Sequence, residues 1–250
     1  MRVAYDVGSL STSDDRLAGL SLVMPAHNES ENLRWLLPHV SDVLPRLAKR
    51  FNVIIVDDGS TDDTGPLAES LARELGIDLR VIRHEHKSGY GAAVGDGLRV
   101  ADLEYTAFTD ADGQLDVADL ALLVPLVRSA DLVGGWRMSR EDAAIRSVIS
   151  GVFNRLVVLT LRIAVKDVDC ALKLIRTETL HRFELHSRSA LINAELYWKV
   201  QENGGTFLQV GVPHHPRRMG RRSGGRLIPI LRATKELIEI RFRGSANRRG

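Results

Sequence analysis

Short apolar runs alternate with helical patterns along the first half of the chain. Leu20 to Met24 predicts a strand, and a helical pattern follows from about Ser30 to Ala48. Asn52 to Val56 predicts a second strand, continuous in Val and Ile as a strand buried on both faces must be. Thr61 to Leu75 reads as a helix, with Thr61, Asp62 and Asp63 offering N-cap oxygens. Ile77 to Ile82 predicts a third strand, Gly91 to Ala101 a helix, and Tyr105 to Thr109 a fourth strand. This strand–helix alternation argues for an α/β fold with a mainly parallel, doubly wound sheet flanked by helices. Ligands gather at the carboxyl ends of such strands.

Beyond Asp131 to Gly135, a further predicted strand, the pattern changes. Ala143 to Val165 is a long helical stretch rich in Val, Leu and Ile. Leu172 to Ile175 and Thr206 to Val210 predict strands, with a helix from Ala190 to Glu202 between them. Leu227 to Phe242 is amphipathic, with basic residues on its polar face. Neither internal repeats nor a low-complexity linker divide the chain, so one domain is expected.

Composition narrows the class. A hydrophobic fraction of 44% in 250 residues is enough for a well-buried core. Cys170 stands alone, which excludes an intramolecular disulfide and accords with a reducing cytoplasm. As a nucleophile it lacks an evident His partner. The most apolar stretch, Val148 to Val165, is interrupted by Arg155 and Arg162, so no spanning helix is expected. Met1 to Gly19 lacks the apolar stretch of a signal peptide and is expected to be a mobile arm. Net charge is only +2, yet 11 Lys/Arg face 2 Asp/Glu from Arg217 onward. Such a tail suits an anionic partner such as phosphate or an acidic membrane surface, or else is simply solvated.

Three polar segments follow predicted strands. The strongest is Asp110-Ala111-Asp112-Gly113-Gln114. Two carboxylates two residues apart on a turn can converge on one hard cation, Mg²⁺ or Mn²⁺, with the amide oxygen of Gln114 as a further ligand. The same composition also suits an acidic turn that binds nothing. The second is Val56-Asp57-Asp58-Gly59-Ser60-Thr61-Asp62, where a carboxylate can accept hydrogen bonds from a base or ribose and the hydroxyls can cap a helix. The third is Pro25-Ala26-His27-Asn28-Glu29, in which Pro25 ends the ladder and His27 and Glu29 can face one crevice.

In this order the segments resemble family-2 glycosyltransferases of the GT-A fold. The likeness extends to the dolichol-phosphate mannosyltransferase and polyprenyl-phosphate glycosyltransferase branch. It continues through Gly89-x-Gly91-Ala92, Gly97, Gly135-Trp136-Arg137, Arg146 with Ser150, Asp167 with Cys170 to Lys173, and Arg217-x-x-Gly220, covering about Leu20 to Ser223. The resemblance implies that Pro25, His27, Glu29, Val56 and Asp58 hold the nucleoside. Asp110, Ala111, Asp112 and Gln114 would hold metal and diphosphate. Arg137, Arg146, Ser150 and Arg217 would bind donor and acceptor phosphates, a task that suits the guanidinium fork. His27 stands where Tyr is commoner, and the Lys that closes the family's last motif is absent. The implied layout is an arm over 1–19, a catalytic domain over 20–226 and a basic tail over 227–250.

The expected reaction is inverting transfer from a nucleotide-sugar, GDP-mannose or a UDP-hexose, to a polyprenyl monophosphate. An acceptor phosphate is anionic at neutral pH and needs no dedicated base. Catalysis then rests on positioning and charge stabilisation, with Asp112 central. The chain would dock as a peripheral protein on the cytoplasmic membrane face through its basic tail and amphipathic stretches. A soluble hydroxyl acceptor is the alternative, and it would require a base. Gly89-x-Gly91-x-x-x-Gly95 also approaches a dinucleotide fingerprint, but follows the third strand rather than the first. No aromatic platform accompanies the arginines, so nucleic acid is not an expected partner. Oligomeric state has no sequence signal.

Overall fold

The computed structural model describes residues 15–138, 154–217, 219 and 236–237. Seven strands form one sheet in the order β3-β2-β1-β4-β6-β5-β7. They are β1 (Leu17–Ala26), β2 (Ala48–Asp57), β3 (Leu79–Arg83), β4 (Tyr105–Phe108), β5 (Leu132–Arg137), β6 (Lys173–Arg176) and β7 (Phe207–Val212). All but β6 run in parallel pairings: β1 with β2 and β4, β2 with β3, and β5 with β7. β6 is antiparallel to both β4 and β5. The predicted mainly parallel, helix-flanked α/β sheet is therefore present, with one reversed strand in its middle.

Helices α1 (Ser30–Leu47), α2 (Thr64–Leu75) and α3 (Tyr90–Val100) make the first three crossovers. Crossovers β1–β2 and β2–β3 move one way along the sheet, and β3–β4 returns past both. Right-handed connections then put α1 and α2 on one face and α3 on the other. α1 packs on α2, while α3 packs on β1, β2 and the later helix α7 (Ile192–Glu202). Between α3 and α7 in chain order lie α4 (Leu120–Leu123), a helix α5 whose described part is 154–161, and α6 (Thr177–Leu180).

α1 contains Pro38 and Pro45, each of which removes a helical N–H. Its buried stripe of Leu33, Leu36, Leu37, Val40, Val43, Leu44 and Leu47 holds it to the sheet regardless. The central strands are buried on both faces: Leu20, Leu22, Val23 and Met24 of β1 and Val53, Ile55 and Val56 of β2 are all fully enclosed. Val56, expected at the nucleoside, is thus a core residue whose side chain packs against Gly97 of α3.

The order reverses between β1 and β4, which makes their carboxyl ends the switch point where a crevice opens. The expected helix from Thr61 begins at Thr64 instead. Asp62 Oδ1 accepts from Thr64 N at 3.0 Å and caps the turn from two residues upstream. Of the predicted helix over Ala143 to Val165, residues 143–153 lie outside the described part, as does Leu227 to Phe242 except 236–237.

Gly97 lets α3 approach the sheet: a Cβ there would lie 2.3 Å from Val23 Cγ1 and 3.0 Å from Val56 Cγ2. Gly97→Ala is expected to lower unfolding stability by about 1–3 kcal/mol through overpacking. Urea unfolding should show the midpoint fall while the denaturant slope stays constant.

Candidate functional site

Three strand exits build the crevice. After β1, Asn28 adopts a left-handed conformation (φ 58°) that turns its side chain toward the β2 exit. Its Oδ1 accepts from Thr61 N at 2.8 Å and its N–H donates to Ser60 Oγ at 2.9 Å. Glu29 N donates to Thr64 Oγ1 at 2.9 Å, and Ser30 N to Asp62 Oδ2 at 3.2 Å. Ser60, Thr61, Asp62 and Thr64 therefore serve as the stitching between two loops.

Asp58 sits at the β2 exit, 4% exposed. Its Oδ1 accepts from His84 Nδ1 at 2.9 Å and Ser88 N at 2.7 Å, and its Oδ2 accepts from Gly89 N at 3.0 Å. Burial works against its charge, but these three bonds prevail and hold the carboxyl below its usual range. His84 Nε2 lies 3.1 Å from Asp96 Oδ2 on α3, so the imidazole spans two carboxylates. His27 Nδ1 donates to Asp58 O at 2.9 Å, turning His27 into a brace between the first two exits.

At the β4 exit, Asp110 Oδ1 is sealed from solvent without a hydrogen-bond partner. Burial and the neighbouring Asp112 push its carboxyl up to about 7, and the Tyr90 hydroxyl, Lys173 and Arg137 pull only part of the way back. Asp112 Oδ1 accepts from Gln114 N at 3.0 Å, and its Oδ2 lies 3.4 Å from Arg217 Nη1. Arg217 also pairs with Glu29 Oε1, and Glu29 Oε2 accepts from Asn32 Nδ2 at 2.6 Å. Burial pushes Glu29 up, and Asn32 and Arg217 offset only part of this. Pro25, His27, Glu29, Asp58, Asp110, Ala111, Asp112 and Arg217 all line one crevice of about 170 Å³, with Lys87, Tyr90 and Ala93. Arg217 also borders a larger cavity of about 630 Å³ lined by Trp35, His39 and His215.

Gln114 stands outside the crevice wall, with its Nε2 3.4 Å from His215 O. Arg137 is committed to Asp167 through two bonds, Nε to Oδ2 at 2.7 Å and Nη2 to Oδ1 at 2.9 Å. Behind it Lys173, fully buried, donates to Asn193 Oδ1 at 2.7 Å and to Cys170 O. Burial pushes the Lys173 ammonium down to about 8 and the Cys170 thiol up to about 11, so Cys170 is not an activated nucleophile. Arg146 and Ser150 lie outside the described residues. The sequence reading missed His84, Ser88 N and Gly89 N as partners of Asp58, and named Lys173 only as the end of the Cys170 to Lys173 segment, without its place behind the acidic turn. Only the glycine pair Gly89 and Gly91 carried a signal for that loop.

Fold and site together define an α/β domain of the GT-A class, with an acidic crevice at the switch point. The chain belongs to the glycosyl transferase family 2, whose profile matches residues 21–223. The chain is 31% identical over 227 residues to dodecaprenyl-phosphate galacturonate synthase of Rhizobium johnstonii, covering 89% of this chain and 66% of that protein. It is 26% identical over 247 residues to dolichyl-phosphate beta-glucosyltransferase of Dictyostelium discoideum, covering 90% and 74%. Against undecaprenyl-phosphate 4-deoxy-4-formamido-L-arabinose transferase of Enterobacter sp., the match covers 72% and 56% at 27% identity. The chain thus spans between about half and three quarters of the length of these relatives. Among solved structures, glucosyl-3-phosphoglycerate synthase of Mycobacterium tuberculosis in complex with Mn²⁺ and UDP-glucose superposes with a TM-score of 0.68. That likeness covers 96% of this chain and 84% of the other at 21% identity, and bears on the fold alone.

Because Asp58 is held below the ordinary carboxylate value, its bonds contribute stability above that value. The contribution is lost as pH falls through the lowered one. Asp58→Asn is expected to lower Tm at neutral pH, and its gap to the parent chain should close below about pH 4. Thermal melts across pH 3 to 8 measure this.

Proposed function

We propose that the chain transfers a sugar from a nucleoside-diphosphate sugar to a polyprenyl monophosphate, with inversion and with a divalent cation, Mg²⁺ or Mn²⁺. The observation that carries this is the convergence of Asp58, Asp110 and Asp112 from separate strand exits on one crevice that Arg217 closes. The names of the curated relatives support the acceptor class, each being a transferase or synthase of a polyprenyl or dolichyl phosphate.

The residues fit a cation. Asp110 Oδ1 is buried and unpartnered beside Asp112, an arrangement that a positive ion would relieve. Among the described residues no three His, Cys, Asp or Glu groups form a closed cage. That accords with Mg²⁺-type binding, in which one or two carboxylates share the ion with water and substrate phosphates. Asp110 and Asp112 are the candidates to hold it, and Gln114, outside the crevice wall, would have to turn its amide oxygen inward to join them. When bound, the ion supplies counter-charge to the departing diphosphate.

The chain's own groups do the rest. Asp58 takes the base, and Pro25 and His27 line its entrance. Arg217 leaves Glu29 and Asp112 to meet a phosphate, exchanging carboxylate oxygens for phosphate oxygens of similar geometry. Arg137 keeps an Nη1 group that Asp167 does not occupy. Arg146 and Ser150 are assigned to the acceptor phosphate. That phosphate attacks the anomeric carbon as an anion already formed, so no side chain has to accept a proton.

Asp112→Asn and Arg146→Ala are each expected to lower sugar transfer to a lipid phosphate by about two orders of magnitude. The assay follows radiolabelled sugar into the organic phase and offers small alcohols as competing acceptors. Undiminished transfer by both variants would refute the assignment, and preference for an alcohol would move it to the hydroxyl-acceptor reading.

Docking on a membrane face belongs to the same proposal. Among the described residues no helix is long and apolar enough to cross a bilayer. Leu156 and Leu159 on α5 are 45% and 66% exposed, with Arg155 between helix and solvent. Apolar and cationic groups side by side suit an anionic lipid surface. In liposome flotation, binding should rise with the anionic lipid fraction and fall on adding salt. Flotation indifferent to both rejects the docking.

A further inference from the structure

Two residues of the segment expected as a tail, Glu236 and Leu237, lie against the catalytic domain. Leu237 is 2% exposed and joins the apolar core. Glu236 Oε2 accepts from Ser189 Oγ at 2.6 Å and from Ser189 N at 3.3 Å. The Ser189 hydroxyl also accepts from Leu191 N at 3.2 Å. Its one hydrogen therefore goes to Glu236, while a lone pair serves the turn that opens α7. A carboxylate that receives both donors of one serine holds that residue more firmly than a neutral acceptor would.

Ser189 ends a short backbone strap that lies against the first turn of α3. Gly91 N donates to Arg188 O at 3.0 Å, and a Cβ at Gly91 would collide with Ser187 O and Ser189 O. A Cβ at Gly89 would lie 2.8 Å from Arg188 O. Glu195 holds the other end of the strap by accepting from His186 N and Ser187 N. The turn so gripped donates Gly89 N to Asp58 Oδ2, and its Tyr90 and Ala93 line the crevice. Without Glu236, the Ser189 end would be held among the described residues only by the first turn of α7, through Leu191 N and Ile192 N.

We infer that the C-terminal segment supports the donor crevice, and that Glu236 is a positioning residue acting through Ser189 on the Gly89–Gly91 turn. This rests on the nucleotide-sugar reading above and adds to it a residue beyond the 21–223 span of the family profile. Glu236 does not line the crevice, so its effect reaches a bound donor through the strap. Release of its two bonds frees the strap to draw back from α3, and the turn that presents Gly89 N and Tyr90 loses its backing. Loosening a supporting contact of this kind shifts affinity at the supported site by about fivefold.

The test is calorimetric titration of the full chain with UDP and with GDP in the presence of Mg²⁺. No vesicles are present, so a change in affinity belongs to the crevice and not to docking. The nucleotide that the parent chain binds more tightly then serves for the variants. Glu236→Leu and Ser189→Ala are each expected to weaken it by about fivefold. Glu236→Gln keeps an acceptor oxygen for Ser189 and should stay within about twofold of the parent chain. Because the two single changes break one contact, the double variant should bind no more weakly than the weaker single. A merely structural Glu236 would lower Tm and leave the dissociation constant unchanged, which overturns the inference. Additive losses, or Glu236→Gln binding as weakly as Glu236→Leu, overturn it too, and in each of these outcomes the nucleotide-sugar reading stands. A parent chain that binds neither nucleotide removes that reading and the inference with it. Should Glu236→Leu fail to fold, Ser189→Ala decides, because it breaks the shorter of the two bonds and keeps Glu236.

Discussion

Gathering carboxylates at one point of a sheet is the constraint that the rest of this structure answers. Glu29, Asp58, Asp110 and Asp112 reach the same crevice from three strand exits, and a carboxylate withdrawn from water loses solvation that something must replace. Each is compensated differently. Asp58 is satisfied by His84 and two backbone N–H groups and stays readily ionised. Glu29 and Asp112 share the Arg217 guanidinium. Asp110 receives no hydrogen bond on Oδ1, and the Tyr90 hydroxyl with the fields of Lys173 and Arg137 opposes its burial only in part. The least compensated carboxyl is thus Asp110, within the crevice, where a cation would gain most.

The scaffold keeps these groups from relaxing apart. α3 lies tight on β1 and β2 at Gly97, and its first turn is pinned by Gly91 N donating to Arg188 O at 3.0 Å. The segment carrying Arg188 is held by Glu195 of α7, whose carboxylate accepts from His186 N and Ser187 N. On the far side Lys173 of β6 ties Cys170 O to Asn193 of α7, which fixes the loop that presents Asp167 to Arg137. β6 runs antiparallel, and this direction brings its first residue, Lys173, opposite Phe108 at the β4 exit. Its ammonium lies 5.1 Å from the Phe108 ring, directly behind the acidic turn. A parallel strand in that slot would have carried Arg176 there instead.

Much of this was legible from residue order alone. The β1 to β4 alternation follows from apolar runs that must be buried on both faces, and the acidic turns follow those runs because a strand buried on both faces has room for charge only at its ends. The reversed β6 left no trace, since Lys173-Leu-Ile-Arg reads the same whichever way it pairs. Val56 shows a different failure: position in a motif placed it at the nucleoside, but the two-residue period of the strand points its side chain into the core under Gly97. His84 was illegible for a third reason. Its meaning lies in two carboxylates 26 and 12 residues away, a coincidence of folding that no local pattern encodes. Capping chemistry at Ser60, Thr61 and Asp62 was readable as a type, whereas its use across loops, onto Asn28 and Ser30, was not.

Arg217 shows how the compensation becomes part of the chemistry. It lines both the small crevice and the larger cavity beside Trp35, and its bonds to Glu29 and Asp112 form the partition between them. A guanidinium there balances two carboxylates in the absence of any other cation. Were a second cation to take over Asp112, the partition would lose one of its two anchors. The side chain would then be free to follow the phosphates of the proposed donor without leaving Glu29 unpaired, because Asn32 still donates to Glu29 Oε2. On the proposed reading, neutralising the acidic turn and opening the cavity behind it would be coupled through one side chain, with no rearrangement of the sheet.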